Sequence, residues 1–246
     1  MILKEQLEVI PSPSRPCALT IGTFDGLHLG HQRILKRLRE KVGPRGTVCV
    51  VTFSNHPSHV LPSRQPVPLI FSKGLKINML EEMGVDVVYC LEFTSEMANK
   101  TYGEFLQGLK AVCPFDFLVL GEGATFGKKG EGTAKRVVEL EKELGFSVEY
   151  LSKLSQEEEV VSSGVIRRCI LEGDLERAAE LLGHPVMIEL SNELEIAPEI
   201  CIPPDGNYRV IVKQNSHEIP SILSLEAGKA TIDVSVKDKK TLLIFH

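Results

Sequence analysis

The chain has 246 residues, of which 43% are hydrophobic and 25% are charged, and its formal net charge is −5. This composition excludes disorder as the main state, and the acidic balance argues against a surface for nucleic acid or anionic lipid. No apolar run approaches the roughly 18 residues that a membrane-spanning helix needs, and the first residues lack a secretory signal pattern. The six cysteines form no Cys-x-x-Cys pair, which excludes zinc-ribbon spacing. Several of them lie in apolar runs, so we expect buried, reduced thiols in a cytoplasmic protein.

Short apolar runs alternate with amphipathic patterns over residues 16–151. The runs predict strands at 16–22, 47–53, 86–91, 117–120 and 147–151, and the 3.6-residue periodicity predicts helices at 30–41, 74–83, 101–109 and 134–144. An order of strand, helix, strand predicts parallel βαβ units with helices on both faces of one sheet. The expected fold class is therefore α/β, with a Rossmann-like parallel sheet.

The pattern changes after about residue 186. A helix at 172–183 precedes strand-like segments at 187–196, 208–214, 221–226, 230–236 and 241–245, which are joined by the turn sequences PPDGN, NSHEIP, AGK and KDKK. We expect two domains, an α/β domain of residues 1–186 and a small all-β module of residues 187–246. The module is either a small barrel or a cap on the first domain.

The segment TIGTFDGLHLGH at 20–31 lies between the first strand and the first helix, where open α/β sheets bind ligands. Gly22, Gly26 and Gly30 permit tight turns and close approach to a ligand. His28 and His31 stand at the entry of a helix whose free N–H groups favour anions, so the segment predicts a phosphate site. A metal-binding histidine pair or a purely structural turn is the alternative, although zinc needs three or four ligands.

The HLGH sequence resembles the HxGH motif of the nucleotidylyltransferase superfamily. The longer IGTFDGLHLGHQRIL resembles the adenylyltransferase module of prokaryotic FAD synthetases, the RibF-type bifunctional riboflavin kinase/FMN adenylyltransferase family. Five further segments follow in the family's order, at 50–57 (VVTFSNHP), 69–86, 91–106, 117–132 (FLVLGEGATFGKKGEG) and 161–185 (VSSGVIRRCILEGDLERAAELLGHP). The resemblance covers about residues 15–186.

The resemblance implies transfer from ATP to FMN, which gives FAD and pyrophosphate, with Mg²⁺ entering with ATP. It assigns catalytic roles to His28, His31 and Arg167, and names no metal ligand. Substrate-binding roles fall on Gly22, Thr23, Phe24, Asp25, Gly30, Ser162, Ser163, Phe126 and Lys128. Two serine hydroxyls and a guanidinium near a helix start suit a polyphosphate; the alternative is a serine N-cap pair beside a solvated arginine.

The chain departs from the family pattern at three places. Gly164 replaces a threonine, Gly123 and Ala124 replace an Asp-Phe pair, and Asn55 replaces a proline. The tail segment IPPDGNYRVIVKQ resembles the kinase barrel, but the tail has no GRxLGFPTAN-like segment and no matching catalytic glutamate. We therefore expect a reduced kinase remnant and FMN adenylyltransferase activity without riboflavin kinase activity.

Three other functions remain open. A different small nucleotidylyltransferase would use another acceptor, and a non-catalytic paralogue would bind a nucleotide or flavin only. An enzyme of the aminoacyl-tRNA synthetase type also shares HxGH, but the chain has no KMSKS-like segment. The sequence gives no oligomeric state.

Overall fold

The computed structural model describes residues 1–10, 16–191, 195–214, 217–233 and 241–245. They form two compact units. The first comprises Met1–Phe24, Gly30–Val67 and Ile77–Leu154, and the second comprises Asp25–Leu29, Pro68–Lys76 and Ser155–His246. Along the described part of the chain, no helix combines the length and the apolar character needed to cross a membrane.

The first unit is built on a six-stranded parallel sheet. Its strands are β1 (Ile2–Lys4), β2 (Cys17–Ile21), β3 (Thr47–Phe53), β4 (Val87–Leu91), β5 (Phe117–Gly121) and β6 (Ser147–Leu151), in the order β1-β4-β3-β2-β5-β6. Leu19 pairs with Cys49 on one side and with Leu118 on the other. Every residue of β2, β3 and β4 is buried, which explains why these strands are apolar without alternation.

The helices up to residue 154 are α1 (Leu29–Val42), α2 (Lys73–Glu82), α3 (Ser95–Asn99), α4 (Tyr102–Val112), α5 (Ala134–Glu139) and α6 (Glu141–Leu144), with 3₁₀ turns at Pro57–His59 and Lys128–Gly130. α1 buries Ile34, Leu35 and Leu38 on one face. α4 begins at a capping box, in which Thr101 and Glu104 each bond the other's backbone N–H.

The six cysteines are free thiols, and each of them is buried. Cys17, Cys49, Cys90 and Cys113 belong to the first unit, and Cys169 and Cys201 belong to the second. They pack as small apolar side chains, as the apolar runs around them predict.

The second unit holds the antiparallel strands. A hairpin of β7 (Ser155–Gln156) and β8 (Glu159–Val160) precedes α7 (Ser163–Glu172) and α8 (Leu175–Leu182). A five-stranded sheet then follows, made of β9 (Met187–Leu190), β10 (Gly206–Gln214), β11 (His217–Glu226), β12 (Lys229–Ile232) and β13 (Thr241–Phe245), in the order β12-β11-β10-β13-β9.

The structure confirms the predicted fold class, a parallel α/β sheet followed by an antiparallel β module. Strands 47–53 and 147–151 have the predicted bounds. The turn predicted for NSHEIP is wrong from His217 onward, because β11 begins at that residue. The turn KDKK and residues 234–236 of the strand before it lie outside the described residues, and the domain boundary at 186 stays a prediction.

Two predicted helices also differ. The pattern at 134–144 forms two short helices that meet at Leu140. The last helix begins at Leu175 instead of Glu172, because Gly173 ends α7 in the left-handed conformation and the Asp174 side chain caps α8.

Candidate active site

The segment after β2 is tightly held within the first unit. Gly22 and Thr23 follow the strand, and the Thr52 hydroxyl donates to the Thr23 carbonyl at 2.9 Å. The ring of Phe24 is buried and lies 4.8 Å, centroid to centroid, from the imidazole of His31. His31 and Gly30 occupy the first turn of α1.

The backbone between the strand and the helix is strained. Phe24 has φ +48° and Leu27 has φ +44°, values that side-chain-bearing residues rarely adopt. Such residues cost about 1–3 kcal/mol each and concentrate at functional sites. Gly26, at φ +80°, supplies the third left-handed position without that cost. Residues 24–27 therefore adopt a strained backbone that leads directly from the strand to the helix.

A cavity of about 940 Å³ opens in the first unit beside Gly22 and Thr23. Four phenylalanines contribute to its walls, namely Phe53, Phe93, Phe105 and Phe126. Three cationic side chains, Arg64, Lys128 and Lys129, also line it, and among its described lining residues there is no Asp or Glu. The cavity therefore suits a planar apolar group that carries negative charge.

The glycine-rich loop closes one side of this cavity. Phe126 pairs with Gly132 across the loop, and the Lys128 N–H donates to the Lys100 carbonyl at 2.7 Å. Gly127 has φ +76°, and a Cβ there would lie 2.5 Å from the Tyr102 nitrogen. Only glycine fits this position, so the backbone path of the loop depends on Gly127.

The second unit contains a buried ion pair. Asp25 is 2% exposed and Arg167 is 9% exposed, and the Nη2 of Arg167 donates to the Asp25 carboxylate at 2.7 Å. The same carboxylate accepts from the N–H groups of Ile70 at 3.0 Å and Phe71 at 3.1 Å. The Nε of Arg167 donates to the Pro68 carbonyl at 2.7 Å. One side chain of the HxGH region thus joins two other segments of the chain.

The start of α7 adds to this cluster. Ser162 is the N-cap, and its hydroxyl accepts from the Val165 N–H at 3.3 Å. The Ser163 hydroxyl donates to the Asp25 carbonyl at 2.9 Å. At Gly164 a Cβ would meet only the Ser162 hydroxyl, at 3.9 Å, so the missing threonine leaves open space.

His28 is buried within the second unit. Burial is the main cause that lowers its pKa to about 4, the Asp25 carboxylate opposes that shift, and the Arg167 guanidinium and His184 reinforce it. The imidazole is therefore neutral near pH 7. His184 lies against Phe71, with ring centroids 5.6 Å apart, and its Nε2 bonds the Gly26 carbonyl at 3.0 Å.

The structure groups the predicted site residues in two sets. Gly22, Thr23, Phe126 and Lys128 line the cavity of the first unit. Asp25, His28 and Arg167 form the buried cluster of the second, and the half-buried Ser163 is bonded to it. Ser162 caps α7, as the alternative interpretation expects, but Arg167 is buried and ion-paired and not solvated. Its expected contact with a phosphate stays a prediction.

Two lining residues escaped the sequence analysis, namely Arg64 and Met97. Arg64 lies in the segment LPSRQP, which has no periodicity or motif that marks it. Lys129, which neighbours Lys128 in the glycine-rich loop, also lines the cavity. No cluster of three or more His, Cys, Asp or Glu side chains that could bind a metal occurs among the residues described.

Comparison with known proteins decides the family. The family model for FAD synthetase matches residues 10–165. The chain belongs to the FAD synthetase family. The match spans β2 to the start of α7, and so includes the cavity, the HxGH segment and both serines of the α7 N-terminus.

Relatives of this FAD synthetase family member are named bifunctional riboflavin kinase/FMN adenylyltransferase. The protein from Bacillus subtilis is 35% identical over 181 residues, 70% of this chain and 54% of that protein. The protein from Listeria monocytogenes is 34% identical over 171 residues, which are 68% of this chain and 54% of that protein. The protein from Escherichia coli K12 is 30% identical over 179 residues, which are 72% of this chain and 57% of that protein. The chain spans about half the length of these relatives.

A solved structure shares the fold along nearly the whole chain. The macrolide-efflux protein from Streptococcus pneumoniae aligns with a TM-score of 0.81 at 22% identity, covering 99% of this chain and 88% of that one. At this level of identity the similarity concerns the fold alone.

Proposed function

We propose that this chain is an FMN adenylyltransferase, which makes FAD and pyrophosphate from ATP and FMN. The observation that carries the proposal is the cavity of the first unit, with aromatic walls, three cations and no described carboxylate. Family membership supports the reaction class. We further propose that the transferase comprises residues 1–186 and acts in the cytoplasm.

The cavity supports FMN as the acceptor. An isoalloxazine ring is flat and largely apolar, and aromatic side chains such as Phe53 and Phe126 suit its faces. The phosphate of FMN is a dianion, and Arg64, Lys128 and Lys129 supply compensating charge. Riboflavin lacks that phosphate, so these cations favour FMN over riboflavin.

The reaction needs no protein nucleophile. An oxygen of the FMN phosphate attacks the α-phosphorus of ATP, the new O–P bond forms, and the bond to pyrophosphate breaks. Catalysis then consists of positioning and of stabilising charge on the transferring group. We assign that stabilisation to His28 and His31; a neutral His28 contributes one N–H donor and no net charge.

The N-terminus of α7 supports binding of the ATP phosphates. α7 has ten residues, and Ser162 and Ser163 stand at its beginning, where free N–H groups and the helix dipole favour anions. We propose that these serines face the β- and γ-phosphates, Ser163 through its backbone N–H because its hydroxyl donates to the Asp25 carbonyl. We also propose that the backbone of 22–25 and Gly30 line the nucleotide. Mg²⁺ enters with ATP as part of the substrate, and no protein ligand is assigned to it.

We propose that this chain does not phosphorylate riboflavin. Residues 187–246 contain no segment that resembles GRxLGFPTAN and no glutamate that matches the family's catalytic one. We therefore propose that the β module is a reduced remnant of the kinase. The assay combines purified protein with ATP and Mg²⁺, with FMN in one reaction and riboflavin in another. Pyrophosphate release is followed, and FAD and FMN are identified by chromatography.

The expected result is FAD from FMN and no FMN from riboflavin. Replacing Arg64 by Ala should raise the KM for FMN about tenfold, since a hydrogen bond to a charged group contributes about 1.5–3 kcal/mol. The matched control Lys229→Ala removes an exposed cation of β12 and should change nothing. FMN formed from riboflavin would refute the loss of the kinase. No product while ATP still binds would refute transfer to FMN and favour another acceptor or a non-catalytic paralogue.

A further inference from the structure

We infer that Asp25 is the positioning residue of the proposed transferase, and that Arg167 acts on the reaction through Asp25 and not by gripping a phosphate. The inference rests on the proposed function, because it concerns the turn that carries His28. Within the second unit, Asp25 is where three separate stretches of the chain are fastened together: the HxGH turn, residues 68–71 and α7.

The carboxylate of Asp25 is held in one orientation. It accepts from two consecutive backbone N–H groups, those of Ile70 and Phe71, and from the guanidinium of Arg167. At 2% exposure it has almost no access to water, so its charge depends on these partners. Such a fully bonded carboxylate fixes its own backbone as well as its side chain.

The turn from Asp25 to His28 is held at two further points. The Ser163 hydroxyl donates to the carbonyl of Asp25, and Nε2 of His184 bonds the carbonyl of Gly26. A Cβ on Gly26 would lie 3.0 Å from the Ile70 side chain, so the turn packs closely on the segment that Asp25 binds. These contacts therefore fix the position of His28.

Two of the five N–H donors of Arg167 are bonded in the structure. Nη2 donates to Asp25 and Nε donates to the Pro68 carbonyl, both at 2.7 Å. These bonds occupy the Nε–Nη2 edge of the guanidinium and, because the group is planar, they also fix the direction of the remaining donors. Binding a polyphosphate through that edge would require Arg167 to abandon Asp25 and leave a buried carboxylate without its cation.

The ion pair also sets the electrostatic environment of His28. The charged and titratable groups that act on this imidazole within the unit are Asp25, Arg167 and His184. Asp25 raises the pKa of His28, and Arg167 and His184 lower it. Removing either partner of the pair must therefore move the His28 titration, in opposite directions for the two partners.

The test uses the full chain with four variants, Asp25→Asn, Arg167→Met, the double variant and the conservative Arg167→Lys. Arg168→Met is the matched control, because it removes a neighbouring, exposed arginine paired with Glu159. The first readout is the NMR titration of the His28 imidazole in ligand-free protein. It requires no turnover, so it stays informative if the proposed function fails.

In that titration we expect Arg167→Met to raise the His28 midpoint and Asp25→Asn to lower it, with shifts on the order of one pH unit. The control should leave the midpoint unchanged. Unchanged midpoints in both variants, or shifts of the same sign, would overturn the electrostatic part of the inference.

The second readout separates kcat from KM for ATP. Positioning through Asp25 predicts that Asp25→Asn and Arg167→Met each lower kcat by about a hundredfold with little change in KM, and that the double variant is no worse than either. Arg167→Lys, which keeps a cation beside Asp25, should recover part of kcat, and it carries the test if Arg167→Met does not fold. A tenfold rise in KM for ATP in Arg167→Met, with normal kinetics in Asp25→Asn, would show a direct phosphate contact and overturn the inference.

Discussion

The buried imidazole of His28 predicts that the protein loses stability in mild acid. Burial lowers the pKa of His28 from 6.5 to about 4, so between these values the unfolded chain binds a proton that the folded chain does not. The titration of His28 leaves the free energy of unfolding unchanged above about pH 6.5 and lowers it as the pH falls toward 4, because the unfolded state binds more protons. The second unit should therefore open more readily in acid.

The size of the effect follows from the two pKa values. At pH 5, proton linkage with midpoints of 6.5 and about 4 lowers the free energy of unfolding by about 2 kcal/mol. At pH 7 the same group contributes almost nothing, since His28 is neutral in both states. Replacing His28 by Gln removes the titration, so the variant should lose about 2 kcal/mol less than the wild type between pH 7 and pH 5.

Urea unfolding at pH 7 and pH 5, followed by far-ultraviolet circular dichroism, measures the difference. Comparing wild type with His28→Gln cancels the titration of the other groups. His217→Gln is the matched control, because His217 is exposed at the start of β11 and its removal should leave the pH dependence as it is. Equal losses in the wild type and His28→Gln would refute the assignment of a buried neutral imidazole.

Two further predictions concern single side chains. Arg167→Met should lower the free energy of unfolding by about 3 kcal/mol, the lower end for breaking a buried pair, since Asp25 keeps two N–H partners; Arg168→Met, at an exposed pair, should cost less than about 1 kcal/mol in the same urea titration. Equal costs would contradict the burial argument. Gly127→Ala should abolish FMN binding in calorimetry, because its Cβ would lie 2.5 Å from the Tyr102 nitrogen. Gly108→Ala, which meets open space in α4, should bind FMN normally, and normal binding by both would contradict the role of the loop.

The sequence predicted most of the parallel sheet because its central strands are buried on both faces and therefore form continuous apolar runs. Thr47–Phe53 is a continuous apolar run, and all seven residues are buried, so its limits coincide with the prediction. Ile2–Lys4 escaped because it is three residues long and lies at the sheet edge, where Ile2 and Leu3 remain exposed. Three residues offer no periodicity to detect.

The site was predictable where its residues are neighbours in the chain. The segment 20–31 shows glycines, histidines and a helix start together, and the structure adds strained backbone at Phe24 and Leu27. The bond between Asp25 and Arg167 joins residues 142 positions apart, and no local pattern announces such a pair. Arg64 is hidden for the same reason, since only the folded chain brings it to the cavity.

The buried thiols can report which unit of this protein opens. Because all six are buried, an alkylating reagent should label none of them while the chain is folded. Four of the cysteines lie in the first unit and two in the second. Under gentle denaturation, intact-mass spectrometry would then show an increment of two labels if the second unit opens alone, four if the first does, and six if they open together. The counting needs no engineered probe, which is useful in a chain that has no tryptophan.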